Sequence, residues 1–561
     1  MSDLIHEQPS SERLSTLPMT SVCESTTLAP LGRSLMPIRE TIMNTEVEDT
    51  LARGGQDSIV EKFVIENLYG YRTIGMSSDY AATILIAKNG SGKTTLLGAL
   101  DAFLRGHFSR LLNLPFDRIV CKLRDMDSSI TLERRHIAAY FESIRNNTEF
   151  HRVSRITETD PDQVVTFITE IFEDKKDNYR FLAENTVFDA LYRSLCGFDF
   201  EATQQMCDRL LKITRSKVVE IDRVKHALRR ALKNIELVYL PTYRRIELPI
   251  SEGASSDKTK KRRSSKFKVP ISGLHGGDIQ FGLSDIAERL AEMNQQIVFD
   301  SDQGYRKISA DIINELIDGS YEQQIIASEV LPDKADLELF FSRLKERTRA
   351  RIFNEISLPN MDKIYSSDFD GTESNKFLTY FLGKLNSVIL STKEKETTVE
   401  AFIASCNKYL SSQDDSTQAP DEYHTNKLYM SFDDKILRLN RKDLSVHVES
   451  ALSQRSIALD ALSSGEKQMI SLFAKLHLYP KEKIVLIDEP ELSLSIEWQR
   501  HILVDVVNAP LSRQVIAITH SPFVFDNELE PFAKALELDI NLQALPRYRE
   551  VEEGYDEASD E

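Results

Sequence analysis

Apolar positions along the chain fall into distinct rhythms. "AATILIA" (81–87), "IVLI" (484–487) and "VIAIT" (515–519) are short unbroken apolar runs bounded by polar turns. Such runs predict strands buried on both faces. "IVEKFVIENL" (59–68) alternates, which predicts a half-buried strand. A helical period begins in "TTLLGALDAFLRGHF", where Leu96, Leu97, Leu100, Phe103 and Leu104 share a face. From about 131 to 235 the pattern is mostly helical, as in "RVKHALRRALKNIELV". "IELVYLPTYRRIELPI" then predicts a return to the sheet, and residues from about 282 to 415 read as helical again. "KLYMSFDDKILRLN" predicts two strands around a turn at Asp433–Asp434. No internal repeat is visible, and the helical stretches lack the sustained heptads of an extended coiled-coil arm.

These rhythms divide the chain. Residues 1–57, rich in Ser, Thr, Pro and Glu, predict a disordered extension. Met36 and Met43 lie inside it, so a downstream start is one expectation for this segment. Residues 58–135 form a first lobe, 136–235 a helical insertion and 236–281 a return to the head that includes a basic loop. A second helical insertion covers 282–426, a second lobe 427–530, and a segment with an acidic tail 531–561. The five cysteines, at 23, 121, 196, 207 and 406, show no metal spacing and read as reduced thiols of a cytoplasmic protein. No run is long and apolar enough for a membrane span, so no membrane partner is expected. The net charge of −18 argues against a uniformly DNA-coating surface but leaves room for a local basic groove.

The chemistry concentrates at the ends of the buried runs. "AKNGSGKTT" (87–95) follows a strand and opens a helix, the context in which a glycine loop cradles phosphate. Backbone N–H groups of Asn89, Gly90, Ser91, Gly92, Lys93 and Thr94, with Thr95 next in line, would wrap the phosphates of ATP. Lys93 would reach the β- and γ-phosphates, and the Thr94 hydroxyl would hold Mg²⁺. The usual first glycine is Ala87, the position that contacts phosphate least directly. "KIVLIDEPELSLS" (483–495) ends its strand in two acids. Asp488 suits Mg²⁺, and Glu489 suits a carboxylate that polarises the attacking water or accepts its proton. In "LSSGEKQ" (462–468), Ser463 and Glu466 have capping-box spacing, and the start Ser463, Ser464, Gly465, Glu466 is a second candidate anion site. His520 follows the last buried run, placed to contact the γ-phosphate and sense its loss.

These four motifs, in this order, resemble the ABC-type ATPases, over about 58–135, 236–250 and 427–525. The resemblance implies an α/β fold: an ABC-type P-loop ATPase head, a mixed sheet flanked by helices, with large helical insertions. It implies ATP and Mg²⁺ as ligands and a head-to-tail dimer or higher oligomer of this chain. Each ATP would then lie between one P-loop and the partner's signature helix, so that Ser463 and Gly465 act on the other subunit's nucleotide. Gln280 is the candidate for the family's loop glutamine at the metal. Tyr71 and Arg72 are either nucleotide contacts or ordinary strand-end residues.

Within the ABC-type ATPases, a transporter subunit is disfavoured by the two insertions. Long-coil members are disfavoured by the missing heptads. Nucleases of the overcoming-lysogenization type carry a nuclease domain after the head, and too few residues follow His520 to hold one. "YHTN" (423–426) reads as loop. "VYLPTYRRIEL" (238–248) with "FGLSDI" (281–286) is similar to the PtuA ATPase subunits of Septu-type anti-phage systems. That similarity implies a small HNH nuclease partner and, in retron-associated relatives, a reverse transcriptase with its DNA–RNA product. The alternatives are a compact DNA-repair or recombination clamp without a nuclease partner, and a head that binds ATP as a structural ligand. The basic run Lys258, Lys260, Lys261, Arg262, Arg263, Lys266 and Lys268 is either a solvated loop or a site for nucleic-acid backbone. Arg244 and Arg245 are either an interface clamp or partners of the chain's excess acids.

Overall fold

A computed structural model describes residues 50–173, 176, 179–214, 218–241, 283–319, 331–349, 359–365, 373–411, 435–457, 461–492 and 494–544. The first lobe runs β1 (Val60–Leu68), β2 (Arg72–Ser77), β3 (Ala82–Ile86), α1 (Lys93–Arg105), β4 (Arg118–Leu123) and β5 (Ile130–Glu133). A group of helices fills Arg134 to Ala231 before β6 (Ile235–Leu240). Next come α2 (Leu283–Ile317), α3 (Lys334–Arg349) and α4 (Glu373–Leu410). Strands β7 (Lys435–Asn440), β8 (Ser445–Ser450) and β9 (Ser456–Ile457) precede α5 (Ser464–Leu478). The order closes with β10 (Glu482–Asp488), α6 (Ile496–Asn508), β11 (Ser512–Thr519), β12 (Ala533–Ala535) and β13 (Glu537–Ile540).

The apolar runs pair with one another. A five-stranded sheet in the order β12-β3-β11-β10-β6 is parallel throughout. Both faces of a parallel sheet are covered, which is why its strands are almost wholly apolar. Leu85, Ile484, Leu486, Ile516 and Ile518 face a core shared with Leu97, Leu100 and Phe103 of α1. The alternate residues Ile84, Val485, Ile487, Val515 and Ala517 face a second core with Met469, Ile470 and Phe473 of α5. The helix face anticipated in α1 is buried in full, from Leu96 to Leu104. Gly106, at φ +73°, ends α1 by donating its N–H to the last carbonyls.

The alternating segment at 59–68 is β1, within a second five-stranded sheet in the antiparallel order β13-β2-β1-β4-β5. Gln514 of β11, only 1% exposed, joins the two sheets. Its side-chain oxygen accepts the N–H groups of Ile59 and Val60 at 3.0 and 2.8 Å. The fold is thus a P-loop α/β head with flanking helices and helical insertions.

Two details depart from the sequence expectation or add to it. "KILRLN" is a strand as expected, and among the described residues it pairs with "SVHVES", across a turn at 441–444. Asp433 and Asp434 lie outside the described residues. The second difference is that α2 and α4 are long, 35 and 38 residues, or about 50–57 Å at helical rise. They pack antiparallel, tied by Lys395 to Asp300 at 2.5 Å and by Lys384 to Glu315. Gly304 permits the close approach, since a Cβ there would sit 2.6 Å from Val388 Cγ1. Ion pairs and an apolar cluster around Ile308, Leu337 and Leu385 hold this arm; buried positions of α4 keep a three-four spacing from Leu382 to Leu410, but the polar Thr392 and Glu396 interrupt the apolar run.

Candidate nucleotide site

In a parallel α/β sheet, ligands bind beyond the carboxyl ends of the strands. Here β3, β11 and β10 end side by side, with Ile86 opposite Thr519 and Ile518 opposite Asp488. The glycine loop, Glu489 and His520 therefore converge. Gly90 and Gly92 have φ +84° and +100°, the left-handed region open to glycine. Gly92 is the N-cap of α1 and carries no side-chain cap, so the helix start presents backbone N–H groups. The Ser91 hydroxyl oxygen is buried at this loop with no hydrogen-bond partner among the described residues. Ala87 is buried and has no left-handed backbone, and its N–H donates to Thr519 O at 3.3 Å. An alanine fits that position without strain.

Lys93, 5% exposed, places Nζ 2.7 Å from Glu489 Oε1 and 3.1 Å from Asn89 Oδ1. Glu489 itself has φ +54°, and its N–H donates to Ile518 O at 2.9 Å. Asp488 is buried at the strand end. The Thr94 hydroxyl and the Asp488 carboxylate are hard oxygen donors of the kind Mg²⁺ takes. With the glycine cradle and the uncapped helix start, this donor set fits a Mg²⁺–nucleotide. Thr95 is half-buried one position further into α1.

Glu491 is a residue the sequence reading missed. It is buried, accepts His520 Nδ1–H at 2.8 Å and accepts the Thr519 hydroxyl at 2.8 Å. The same ring nitrogen is 4.0 Å from Glu489 Oε1. Its signal was the third acid, the second glutamate, in "DEPE". Arg72 also belongs here. It donates to Gly90 O at 3.2 Å and lies over the rings of Tyr69 and Tyr71, with centroids at 5.0 and 5.6 Å.

The second candidate, the start of α5, is a capped helix terminus. Ser463 is the N-cap of α5, with the full capping box present: its hydroxyl accepts Glu466 N–H, and Glu466 accepts Ser463 N–H. Lys435 of β7 donates to both Glu466 oxygens at 2.9 Å. Burial pushes the Glu466 carboxyl up. The Lys435 ammonium and the Ser463 donors outweigh this and hold it below the usual glutamate range. Ser463 is exposed, Ser464 half-buried and Gly465 buried. α5 packs on the sheet face opposite α1, so this helix start and the glycine loop serve different sides of the head. Gln280, Arg244, Arg245, the basic run and "YHTN" lie outside the described residues. Cys121, Cys196, Cys207 and Cys406 are free. Among the described residues no helix is long and apolar enough to cross a membrane.

A family profile described as "AAA domain, putative AbiEii toxin, Type IV TA system" matches residues 228–526, just over half of the chain. The match takes in β6, α5, the acidic strand and His520, and begins after the glycine loop. No curated protein matches the chain. Among solved structures, similarity extends to an Smc head domain with an extended coiled coil, bound to the C-terminal domain of ScpA, from Pyrococcus furiosus. That match has 12% identity and a TM-score of 0.30, covering 88% of this chain and 99% of that one. The Smc head domain with a coiled coil and joint from Pyrococcus yayanosii gives 14% identity and a TM-score of 0.26, covering 84% and 93%. At these scores the likeness bears on neither the site nor its use.

Proposed function

The chain belongs to the AAA-domain family so described, and from that premise we propose that it is the ATP-hydrolysing subunit of a bacterial anti-phage complex that regulates a separate HNH nuclease. The observation that carries the ATPase part is the meeting of Lys93, Glu489 and His520 at three adjacent strand ends. Backbone N–H groups from Asn89 to Thr94 hold the β-phosphate, and Lys93 exchanges Glu489 for the phosphates. Thr94 and Asp488 hold Mg²⁺, which neutralises phosphate charge when bound. Glu489 takes a proton from the attacking water, and His520 contacts the γ-phosphate. Ser463, Ser464 and Gly465 lie across the sheet from their own loop. They act on the nucleotide of a second, head-to-tail copy.

The defence role rests on the toxin–antitoxin wording of the family and on the resemblance of "VYLPTYRRIEL" and "FGLSDI" to Septu-type ATPases. The nuclease, or a retron reverse transcriptase with its DNA–RNA product, would be the partner that ATP gates. Glu489→Gln tests the chemistry: ATP binding persists while turnover falls by about 10²-fold or more. Equal turnover by both proteins would refute the assignment. Co-purification with the products of neighbouring genes tests the partner. A second reading, a DNA-repair clamp, gains support from the α2–α4 arm. It expects ATPase stimulation by DNA and no nuclease in the purified complex.

A further inference from the structure

Glu491 makes contacts that neither capping nor packing requires. It lies in the turn after β10, and its side chain is 6% exposed. Oε1 accepts His520 Nδ1–H at 2.8 Å and the His520 backbone N–H at 3.2 Å, and Oε2 accepts the Thr519 hydroxyl at 2.8 Å. A buried carboxylate is costly unless its lone pairs are met. Here all three of these donors come from two consecutive residues at the end of β11. Gln499 braces the arrangement from behind. Its Nε2 donates to Glu491 O at 3.3 Å, and its Oε1 accepts the Ser521 hydroxyl at 3.0 Å. The turn bearing Glu489 and the turn bearing His520 are thereby fastened together at two points.

We propose that Glu491 is a positioning residue that fixes the ring of His520 in one orientation and one tautomer. An ionised carboxylate can only accept, so Nδ1 must carry the hydrogen that points at Glu491. Nε2 is then the ring nitrogen left for the nucleotide, whichever charge the ring bears. Without Glu491 the imidazole gains a choice of tautomer and the freedom to swing about its Cα–Cβ bond. The 4.0 Å separation between Nδ1 and Glu489 Oε1 would also lose its fixed value. Outer partners that orient a metal-bound histidine typically cost about 10–100-fold in affinity or activity when removed, and a loss of that order is expected for the analogous contact here. The inference rests on the reading of His520 as the γ-phosphate contact, but its geometric core does not require turnover.

The test uses the full chain labelled with ¹⁵N-histidine, with the His520 signals assigned by their loss in His520→Asn. In the wild-type protein at neutral pH, long-range ¹H–¹⁵N spectra should show a protonated Nδ1 at His520, and Glu491→Gln should replace this by a tautomer mixture. In kinetics, Glu491→Gln should lower kcat by about 10–100-fold with KM for ATP within about twofold. In a His520→Ala background the same change should have no further effect, because Glu491 acts through that ring. Thr519→Val, which removes only the Oε2 anchor, provides a milder variant if Glu491→Gln does not fold. It should lower kcat in the same direction and weaken the Nδ1 signature. A Nδ1 signature untouched by both variants, or additive kinetic losses in the double variant, would overturn the proposal. A wild-type protein that shows the signature but never hydrolyses ATP would instead refute the ATPase reading and leave the positioning contact standing.

Discussion

Glu489 holds its place at φ +54°, a region that costs a residue with a Cβ about 1–2 kcal/mol. Such strain clusters where geometry serves chemistry. Glu489→Gly and Glu489→Ala both remove the carboxylate, but only the first relaxes the backbone. The glycine variant should therefore be the more stable by about 1 kcal/mol in thermal or urea unfolding. The loop glycines make the reverse case. Gly92→Ala forces a side chain to φ +100°, 3.4 Å from Ile74 Cδ1. It should cost roughly 1–2 kcal/mol and weaken ATP binding in calorimetry, whereas Ala87→Gly should leave affinity unchanged. Lys93 was readable from the glycine loop between strand and helix, Glu489 because a buried strand seldom ends in charge unless a cation or function retains it, and His520 from its place after the last buried run. Glu491 was not, because an acid in the turn after such a strand looks the same whether it faces water or a histidine ring.

At the scale of elements, β7 joins the arm to the start of α5. Asn407 of α4 accepts Leu437 N–H at 2.7 Å and donates to Leu437 O at 3.1 Å, seizing the strand at its middle. Just beyond its far end, Arg441 O accepts from Arg343, which is buried in a pair with Glu396 of α4. At its near end Lys435 grips Glu466. A carboxyl held below its usual range stabilises the fold above that range, and this stabilisation is lost as pH falls through the folded-state value. Lys435→Met should thus lower the melting temperature at neutral pH. The difference from wild type should shrink as the pH drops below the ordinary glutamate range. "SVHVES" alternates plainly enough to have announced β8. The arm was hard to read because the buried Thr392 and Glu396 break the apolar three-four spacing at the middle of α4.

For the whole molecule, the decisive arrangement is the sheet with the glycine loop's helix on one face and α5 on the other. If catalysis joins two heads, a Lys93→Ala chain and a Ser463→Arg chain should each be inactive alone. Mixed, they should regain about a quarter of wild-type turnover, the statistical share of one intact composite site. No regain would argue for a site complete within one chain. Motif order along the sequence sufficed to place the strand ends, because apolar runs of this length have one common home, a doubly covered sheet. It gave no view of the antiparallel sheet's closing strand β13, where Leu538 and Ile540 alternate with acids over only four exposed residues, too short a run to stand out from the tail.

That closing strand, with β12 beside β3, sets an order on the making of the protein. The strand that leads into the phosphate loop, β3, lies between β11 and β12, both translated hundreds of residues later. Pairings this distant close slowly and leave unsatisfied strand edges in the meantime. A chain still being made would leave β3, the strand that leads into the phosphate loop, without either of its sheet neighbours until β11 and β12 are complete.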